Sequence, residues 1–388
     1  MIDKTLFDIA TPVQRRYLEA IEEHGSLRAA ARALGVNGPS ALGHAMARLR
    51  VAAARKGYDP ETQLTHLLPP GQILKGSSTL YDKDGNLVLQ WVKSKEDSER
   101  IHEIVRTISE GFLENIKGKS KKSHLKHVNP DNMLLSAYCI GDAHLGMYSW
   151  GDETGADFDL NIAEQQLMAA IDRMVAVAPN SKECLIAQLG DFLHMDDTTN
   201  ATPMNSNRLD ADTRFLKVLR AAVKVLKYII ETALSKHEVV RVRNVAGNHD
   251  PHSSIALTLA LAAYYDGNPR VVIEDSPAPF WYMTFGDNLI GLAHGHAPKP
   301  EKLAQVLAVE AANDWHLPFK YVWHGHIHHK RVIEEMHVLI ESFRTLAARD
   351  AWHTSEGYSA GREMQCIVLH KQYGEIERYT ANLRSLNS

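Results

Sequence analysis

The sequence predicts a layered α/β domain over residues 133–388, preceded by a small helix-turn-helix and hairpin domain. Three observations predict this. From residue 133 onward, apolar strand-like runs alternate with helical patterns. The first 56 residues repeat a cap, helix and turn pattern. Between them the period shifts to that of a hairpin, and a basic Ser/Gly/Pro-containing stretch follows. The expected domains are 1–116, a linker at 117–132, and 133–388.

The chain has 388 residues, 44% hydrophobic and 23% charged, with a formal net charge of −4. That is the composition of a water-soluble globular protein of two or three domains. The net charge excludes a uniformly basic nucleic-acid binder, but residues 1–57 hold nine Lys/Arg against five Asp/Glu, a net +4. The three cysteines, Cys139, Cys184 and Cys366, are scattered and form no CxxC pair. This predicts a reduced, cytoplasmic protein with no disulfide framework, of a bacterium or a phage-infected host. The opening residues lack the apolar core of a signal peptide. The longest apolar stretch, residues 254–265, is about half a membrane span, so no membrane association is expected.

Taken in order, Thr11-Pro12 reads as an N-cap and first helical position. The helix that follows carries Val13, Tyr17 and Ile21 on one face and ends at Gly25. Ser26 caps a second helix whose apolar face is Leu27, Ala30, Ala31 and Leu34. Gly35-Val36-Asn37 makes a tight turn, and a third helix spans about 39–56. Short helix, glycine-containing turn and longer helix resemble the helix-turn-helix of phage and bacterial DNA-binding proteins. The DNA contacts expected from it are Arg28, Arg32, Asn37, Ser40, His44 and Arg48. Residues 71–93 read as two strands about an Asp-Gly turn. Residues 94–116 read as an amphipathic helix with Ile101, Ile104, Val105, Ile108 and Phe112 on one side.

In the second domain the expected strands lie at MLLSAYCI, ECLIAQL, VVRVRNVA, LIGLA, YVW, HVLIESF, MQCIVLHKQ and EIERYTANL. The expected helices lie near 161–178, 210–236, 253–265 and 300–311. Five motifs follow or lie in the strand-like runs: GDAHLG (141–146), LGDFLH (189–194), GNHD (247–250), AHGH (293–296) and GHIHH (325–329). Carboxylates mixed with imidazoles suit Mn²⁺, Fe or Zn²⁺ rather than Ca²⁺. Two such ions roughly 3.5–4 Å apart form the usual clamp for in-line attack on phosphorus.

In this order and spacing, the motifs resemble those of the calcineurin-like metallophosphoesterase superfamily, over most of residues 133–388. The resemblance implies a β-sandwich flanked by helices and two divalent metals, Mn²⁺ first, with Fe, Zn²⁺ or Mg²⁺ as the other ions. It implies Asp142, His144 and His328 on one metal, and Asn248, His294 and His326 on the other. Asp191 would bridge the two. His296 competes with His294. Gly141, Gly190, Gly247 and Gly325 are expected to turn the backbone off each strand. His249 matches the family's catalytic histidine, which stabilises the phosphorane or protonates the leaving oxygen. Asp250 is either its orienting carboxylate or a structural turn residue. Three details resemble the DNA-repair nucleases of the superfamily: the GDAHLG opening, the GDFLH motif with His194 as a third catalytic candidate, and the N-terminal DNA-binding module.

Residues 329–388 read as sheet, so an SMC-like ATPase partner, which needs docking helices there, is not expected. DNA is the expected partner, and the oligomeric state stays open. Asp196, Asp197, Asn207 and Arg208 are candidate substrate contacts in a polar loop, with a solvated insertion as the alternative. Trp352, His353 and Tyr358 either pack or stack on a base. Lys330 and Arg331 either meet a phosphate or face water. The function expected is a two-metal DNA nuclease. Its rivals are a metallophosphatase or cyclic-nucleotide phosphodiesterase with a regulatory front module, and a DNA-binding regulatory or packaging protein with a non-catalytic metal domain.

Overall fold

The structure, a computed structural model, describes residues 5–36, 40, 42–46, 48–49, 72–81, 87–96, 118, 120 and 129–386. It divides into two compact units, Met1–Ile104 and Val105–Ser388.

In the first unit, α1 (Thr5–Ile9) precedes α2 (Pro12–His24) and α3 (Leu27–Ala33). Thr11 and Gln14 form a reciprocal capping box at the start of α2, and Gly25 closes it in the left-handed region at φ 70°. The Ser26 hydroxyl accepts from the Ala29 N–H at 3.2 Å. Residues 40, 42–46 and 48–49 are helical. Ala20, Ala30, Ala31 and Leu42 form a small core, with Tyr17, Ile21, Leu34 and Val36 packed on it. The expected face of α2 is displaced, because Val13 is 59% exposed and Leu18 is buried instead. Asn37 and residues 50–56 lie outside the described residues.

The expected hairpin is present as β1 (Gln72–Tyr81) and β2 (Leu87–Glu96), antiparallel from Tyr81↔Leu87 to Gln72↔Glu96. Residues 94–96 are therefore strand rather than the first turn of the expected helix. The rest of that helix lies outside the described residues.

The first described residues of the second unit, 118 and 120, lie in the segment read as a linker. There, Gly118 and Ser120 donate their N–H groups to the Ala263 and Tyr264 carbonyls at 2.8 and 3.1 Å. Then come β3 (Asp131–Ile140), α4 (Gly151–Thr154), α5 (Leu160–Val177), β4 (Ser181–Gln188), α6 (Phe215–Leu234), β5 (Val239–Asn244) and α7 (Pro251–Tyr264). After these come β6 (Val271–Glu274), β7 (Trp281–Phe285), β8 (Asn288–Leu292), α8 (Leu303–Glu310), β9 (Phe319–His324), β10 (Arg331–Glu335) and β11 (Val338–Ser342). The unit closes with α9 (Ala351–Ser355), β12 (Glu363–His370), β13 (Gly374–Asn382) and α10 (Leu383–Leu386).

Two mixed sheets result, one six-stranded in the order β13-β12-β3-β4-β5-β6, one five-stranded in the order β10-β11-β9-β8-β7. Between them lies a core of Leu135, Ala137, Leu185, Ala187, Ile290, Leu292, Trp323, Ile367 and Leu369. Helices cover the outer faces. On α6, Val218, Ala222, Val225, Leu226, Ile229, Ile230 and Ala233 are fully buried at helical spacing. Burying one Val, Leu or Ile side chain contributes about 1.5–3 kcal/mol. On the other side, Leu303, Ala304 and Leu307 of α8 pack on Leu289, Val322 and Ile340. This is the helix-flanked α/β sandwich that the resemblance implies. No helix among the described residues is long and apolar enough to cross a membrane.

Strands β3, β4 and β5 run parallel in one sheet, and β8 and β9 run parallel in the other. All five motifs leave the carboxyl ends of these strands. In α/β sheets that is where ligands bind, because the loops there diverge while the strands hold their roots fixed.

Candidate metal centre

All seven expected ligands converge. Asp142, His144 and His328 form one group, and Asp191, His294 and His326 form a second; within each, the ligand atoms lie within 4.8 Å of one another. In the first group the two Nε2 atoms of His144 and His328 are 3.0 Å apart, and His328 Nε2 is 3.6 Å from Asp142 Oδ1. In the second, His294 Nε2 is 3.2 Å from Asp191 Oδ2 and 3.0 Å from Asn248 Oδ1. The Leu189 carbonyl accepts from His294 Nδ1 at 2.8 Å, which fixes the tautomer and leaves Nε2 as the coordinating atom. His296 is exposed, its ring 5.2 Å from that of His294. His294 is therefore the ligand candidate of the pair.

The backbone is strained where four of the ligand candidates sit. His144, Asp191, His326 and His328 adopt φ of 45°, 49°, 69° and 54°. Non-glycine residues avoid that region, and surrounding contacts must hold them in it. Such contacts are present. The Asp142 carboxylate accepts the His326 N–H at 2.8 Å, and Asp191 Oδ1 accepts the His249 N–H at 2.8 Å. The His144 N–H donates to the Asp191 carbonyl at 3.0 Å.

The glycines serve differently from expectation. Only Gly190 of the four has a left-handed φ, +98°. At Gly247 and Gly325 the requirement is room. A Cβ would fall 1.9 Å from Asp191 Oδ1 at the first and 2.4 Å from Asp142 Oδ2 at the second.

The electrostatics suit cations. Burial and neighbouring imidazoles hold His144 well below the usual histidine range, and burial first brings His194 to about 3 and His326 to about 4. These rings are neutral near pH 7, the form that binds metal. Burial alone would lower His294 as well, but Asp191 and Asp142 outweigh it and raise the ring to about 10. The same contest, with Asp142, raises His328. Buried carboxylates that draw protons onto adjacent imidazoles lack positive charge, which divalent ions would supply. Buried His194 Nε2 has no hydrogen-bond partner. The donor set thus fits two divalent cations held by nitrogen and oxygen ligands.

His249 lies at the edge of the cluster, its ring 4.8 Å from that of His144 and stacked at 5.3 Å on that of His194. Its Nδ1 donates to the His194 carbonyl at 2.9 Å. That bond, not Asp250, sets its orientation. Asp250 accepts from the Leu193 and Gly247 N–H groups at 3.0 and 3.1 Å, tying the second motif to the third. Burial, then Asp191, raises its carboxyl to about 7. His194 is 1% exposed, with Nδ1 3.2 Å from His144 Nδ1, so it packs beneath the cluster.

Other expectations are revised. Asp196 accepts from the Ser253 N–H at 2.7 Å and the His252 N–H at 3.2 Å, capping the start of α7 from outside, and Asp197 closes a turn onto Thr199. Asp196 is thus engaged in holding α7, whereas Asp197 stays exposed. Lys330 and Arg331 pair with Glu341 and Glu301 at 3.2 and 2.8 Å. Arg208 is exposed beside a cavity of about 540 Å³ that Tyr148 and Asn200 also line. Of the expected DNA contacts, Arg28, Arg32, Ser40, His44 and Arg48 are all exposed. Three contributors escaped the sequence reading. The Leu189 carbonyl is backbone and leaves no signature. Thr345 donates its hydroxyl to the Asp142 carbonyl at 2.5 Å. Asp350 holds His353 Nδ1 at 2.7 Å, and its i,i+3 spacing was the available signal.

No protein-family model matches the sequence, and no curated protein matches it. Among solved structures, a dimetal phosphatase from Danio rerio is 10% identical, with 65% of this chain and 99% of that one covered and a TM-score of 0.36. An archaeal phosphodiesterase is 13% identical, with 64% and 99% covered and a TM-score of 0.32. Vps29 from Entamoeba histolytica, complexed with zinc, is 13% identical, with 64% and 98% covered and a TM-score of 0.26. Likenesses this distant assign no activity, and what the chain does is argued from its own side chains.

Proposed function

We propose that the chain is a two-metal-dependent phosphodiesterase acting on DNA, with the N-terminal module holding the substrate. The observation that carries the catalytic half is the convergence of seven ligand side chains, four of them on strained backbone. A structural role would not require such strain at four positions that converge on one point. Asp142, His144 and His328 would hold one ion, Asn248, His294 and His326 the other, and Asp191 both. When bound, the ions supply Lewis acidity, polarising the phosphoryl oxygens and making water a competent nucleophile at neutral pH.

The chain's own groups do the rest. His249 Nδ1 is committed to a carbonyl, so Nε2 is the atom that carries a proton to the leaving oxygen or faces developing charge. Asp191 fixes the His249 backbone, tying the acid to the ligand cluster. For DNA, the support is the capped helix-turn-helix with Arg28, Arg32, His44 and Arg48 exposed over a closed core. The test is purified protein with Mn²⁺ on linear DNA, circular DNA and bis-p-nitrophenyl phosphate side by side. Cleavage of DNA supports the reading. Turnover of the small diester alone moves it to a small-molecule phosphodiesterase, and no turnover of any substrate overturns it.

A further inference from the structure

We infer that Trp352 and Tyr358, with Trp150 on the adjoining segment, form a stacking platform for a nucleobase of the substrate at the mouth of the metal centre. This deepens the phosphodiesterase reading and rests on it. It starts from exposure. Trp352 is 58% exposed, Tyr358 51%, Trp150 53% and Tyr148 46%. Single exposed aromatics are ordinary, but these come from segments that meet. Helix α9, which carries Trp352, packs against α4, which Trp150 precedes. Trp150 and Trp352 are the exposed tryptophans among the described residues.

The platform is built rather than loose. The Arg349 guanidinium donates to the Tyr358 carbonyl at 3.1 Å and the Thr154 carbonyl at 2.7 Å, so one side chain staples the three segments. The Ser149 hydroxyl donates to the Arg349 carbonyl at 2.6 Å. The Trp352 and Tyr358 rings lie 5.7 Å apart.

Position ties these rings to the chemistry. The Trp352 ring meets His353 edge-on at 4.9 Å, and the His353 ring stacks on the ligand candidate His328, also at 4.9 Å and 17° from parallel. Two ring steps thus lead from a ligand to open aromatic surface. A phosphodiester held at the metals by a nucleotide has its base one sugar away, within that short reach. A planar base covers both rings through its π-face, a fit that a phosphate ester without a base lacks. Aromatic rings hold bases of any sequence through their π-faces.

The experiment uses the full chain with Mn²⁺ bound, every protein carrying His249→Gln, so that turnover is slowed while the phosphate keeps its metal anchor. Tetrathymidylate, 3′,5′-cyclic AMP and an abasic tetranucleotide are titrated against tryptophan fluorescence, and against Trp352→Phe to isolate that residue's signal. Anisotropy of labelled tetrathymidylate gives the affinity of Trp352→Ala/Tyr358→Ala, whose exposed side chains can be cut without opening the core. The proposal predicts quenching that Trp352→Phe largely removes, and a double variant weakened roughly 5- to 100-fold. The abasic strand should bind parent and variant alike. Quenching by either base-bearing ligand supports the proposal, and the preferred one names its source, strand or cyclic nucleotide. Equal affinity in parent and double variant, or no quenching by either, overturns it. Hydrolysis of bis-p-nitrophenyl phosphate with Mn²⁺, by the chain with His249 in place, separates the two readings. Turnover without Trp352 quenching sinks the platform alone, and quenching without turnover by any metal sinks the catalytic reading alone.

Discussion

Replacing Gly247 with alanine should disable the metal centre without removing a ligand. The new Cβ would lie 1.9 Å from Asp191 Oδ1 and 2.2 Å from the Asp191 backbone nitrogen. Backbone cannot swing aside as a side-chain tip can. Gly247 is also held by its own N–H bond to Asp250. Restoring ordinary contact, near 3.5 Å, parts the two loops by more than about 1 Å. A misplacement on that scale costs on the order of 10²-fold in turnover. Overpacking of this kind costs about 1–3 kcal/mol, or roughly 2–12 °C in Tm at about 2–4 °C per kcal/mol. The control is Gly267→Ala. That glycine has φ +74° and open space around it, so alanine there costs about 1–2 kcal/mol of backbone strain and leaves the centre intact. Steady-state rates on bis-p-nitrophenyl phosphate, metal content and thermal melts of both variants are the assay. Gly247→Ala with the parent's rate and metal content would refute the reasoning, as would equal activity losses in the two variants.

Further outcomes follow from other parts of the molecule. His249→Gln should keep its metal and lose about 10²–10⁴-fold in turnover, and loss of metal or a parental rate would contradict its role as the acid. Replacing Arg28, Arg32 and Arg48 by alanine should weaken duplex binding and flatten its salt dependence by about 0.9 in log–log slope for each phosphate no longer neutralised; an unchanged slope would remove these residues from the DNA surface. A chain beginning at Val105 should lose far more activity on long DNA than on a small diester, since a tether raises only the local DNA concentration; an unchanged ratio would favour the small-molecule reading. Trp323→Ala, at a fully buried position between the sheets, should cost about 3–5 kcal/mol, and a melt within 2 °C or so of the parent, under about 1 kcal/mol, would contradict that packing.

The ligand candidates were legible because metal chemistry admits few residue types, and because each sits where a strong strand pattern ends. The central strands were legible for a related reason. Buried on both faces, they read as runs such as MLLSAYCI and ECLIAQL. Strands β6, β7 and β10 escaped, and all three are edges. Their burial is partial, and in β10 four of five residues are exposed, so no periodic signal forms. The sequence left the roles of Asp250 and Asp196 open for another reason. Their partners, Leu193 and Ser253, lie 57 residues away in sequence, and no local pattern carries a contact across that distance. The strain at His144, Asp191, His326 and His328 was invisible too, since these residue types do not announce a left-handed φ.

The central claim is that the five motif loops hold two divalent ions. Anomalous scattering from crystals grown with Mn²⁺, joined to metal analysis of the same protein in solution, tests it directly. The account predicts two ions per chain, one on Asp142, His144 and His328, the other on Asn248, His294 and His326, with Asp191 on both. Active protein holding one ion or none, or ions seated away from these side chains, would contradict it.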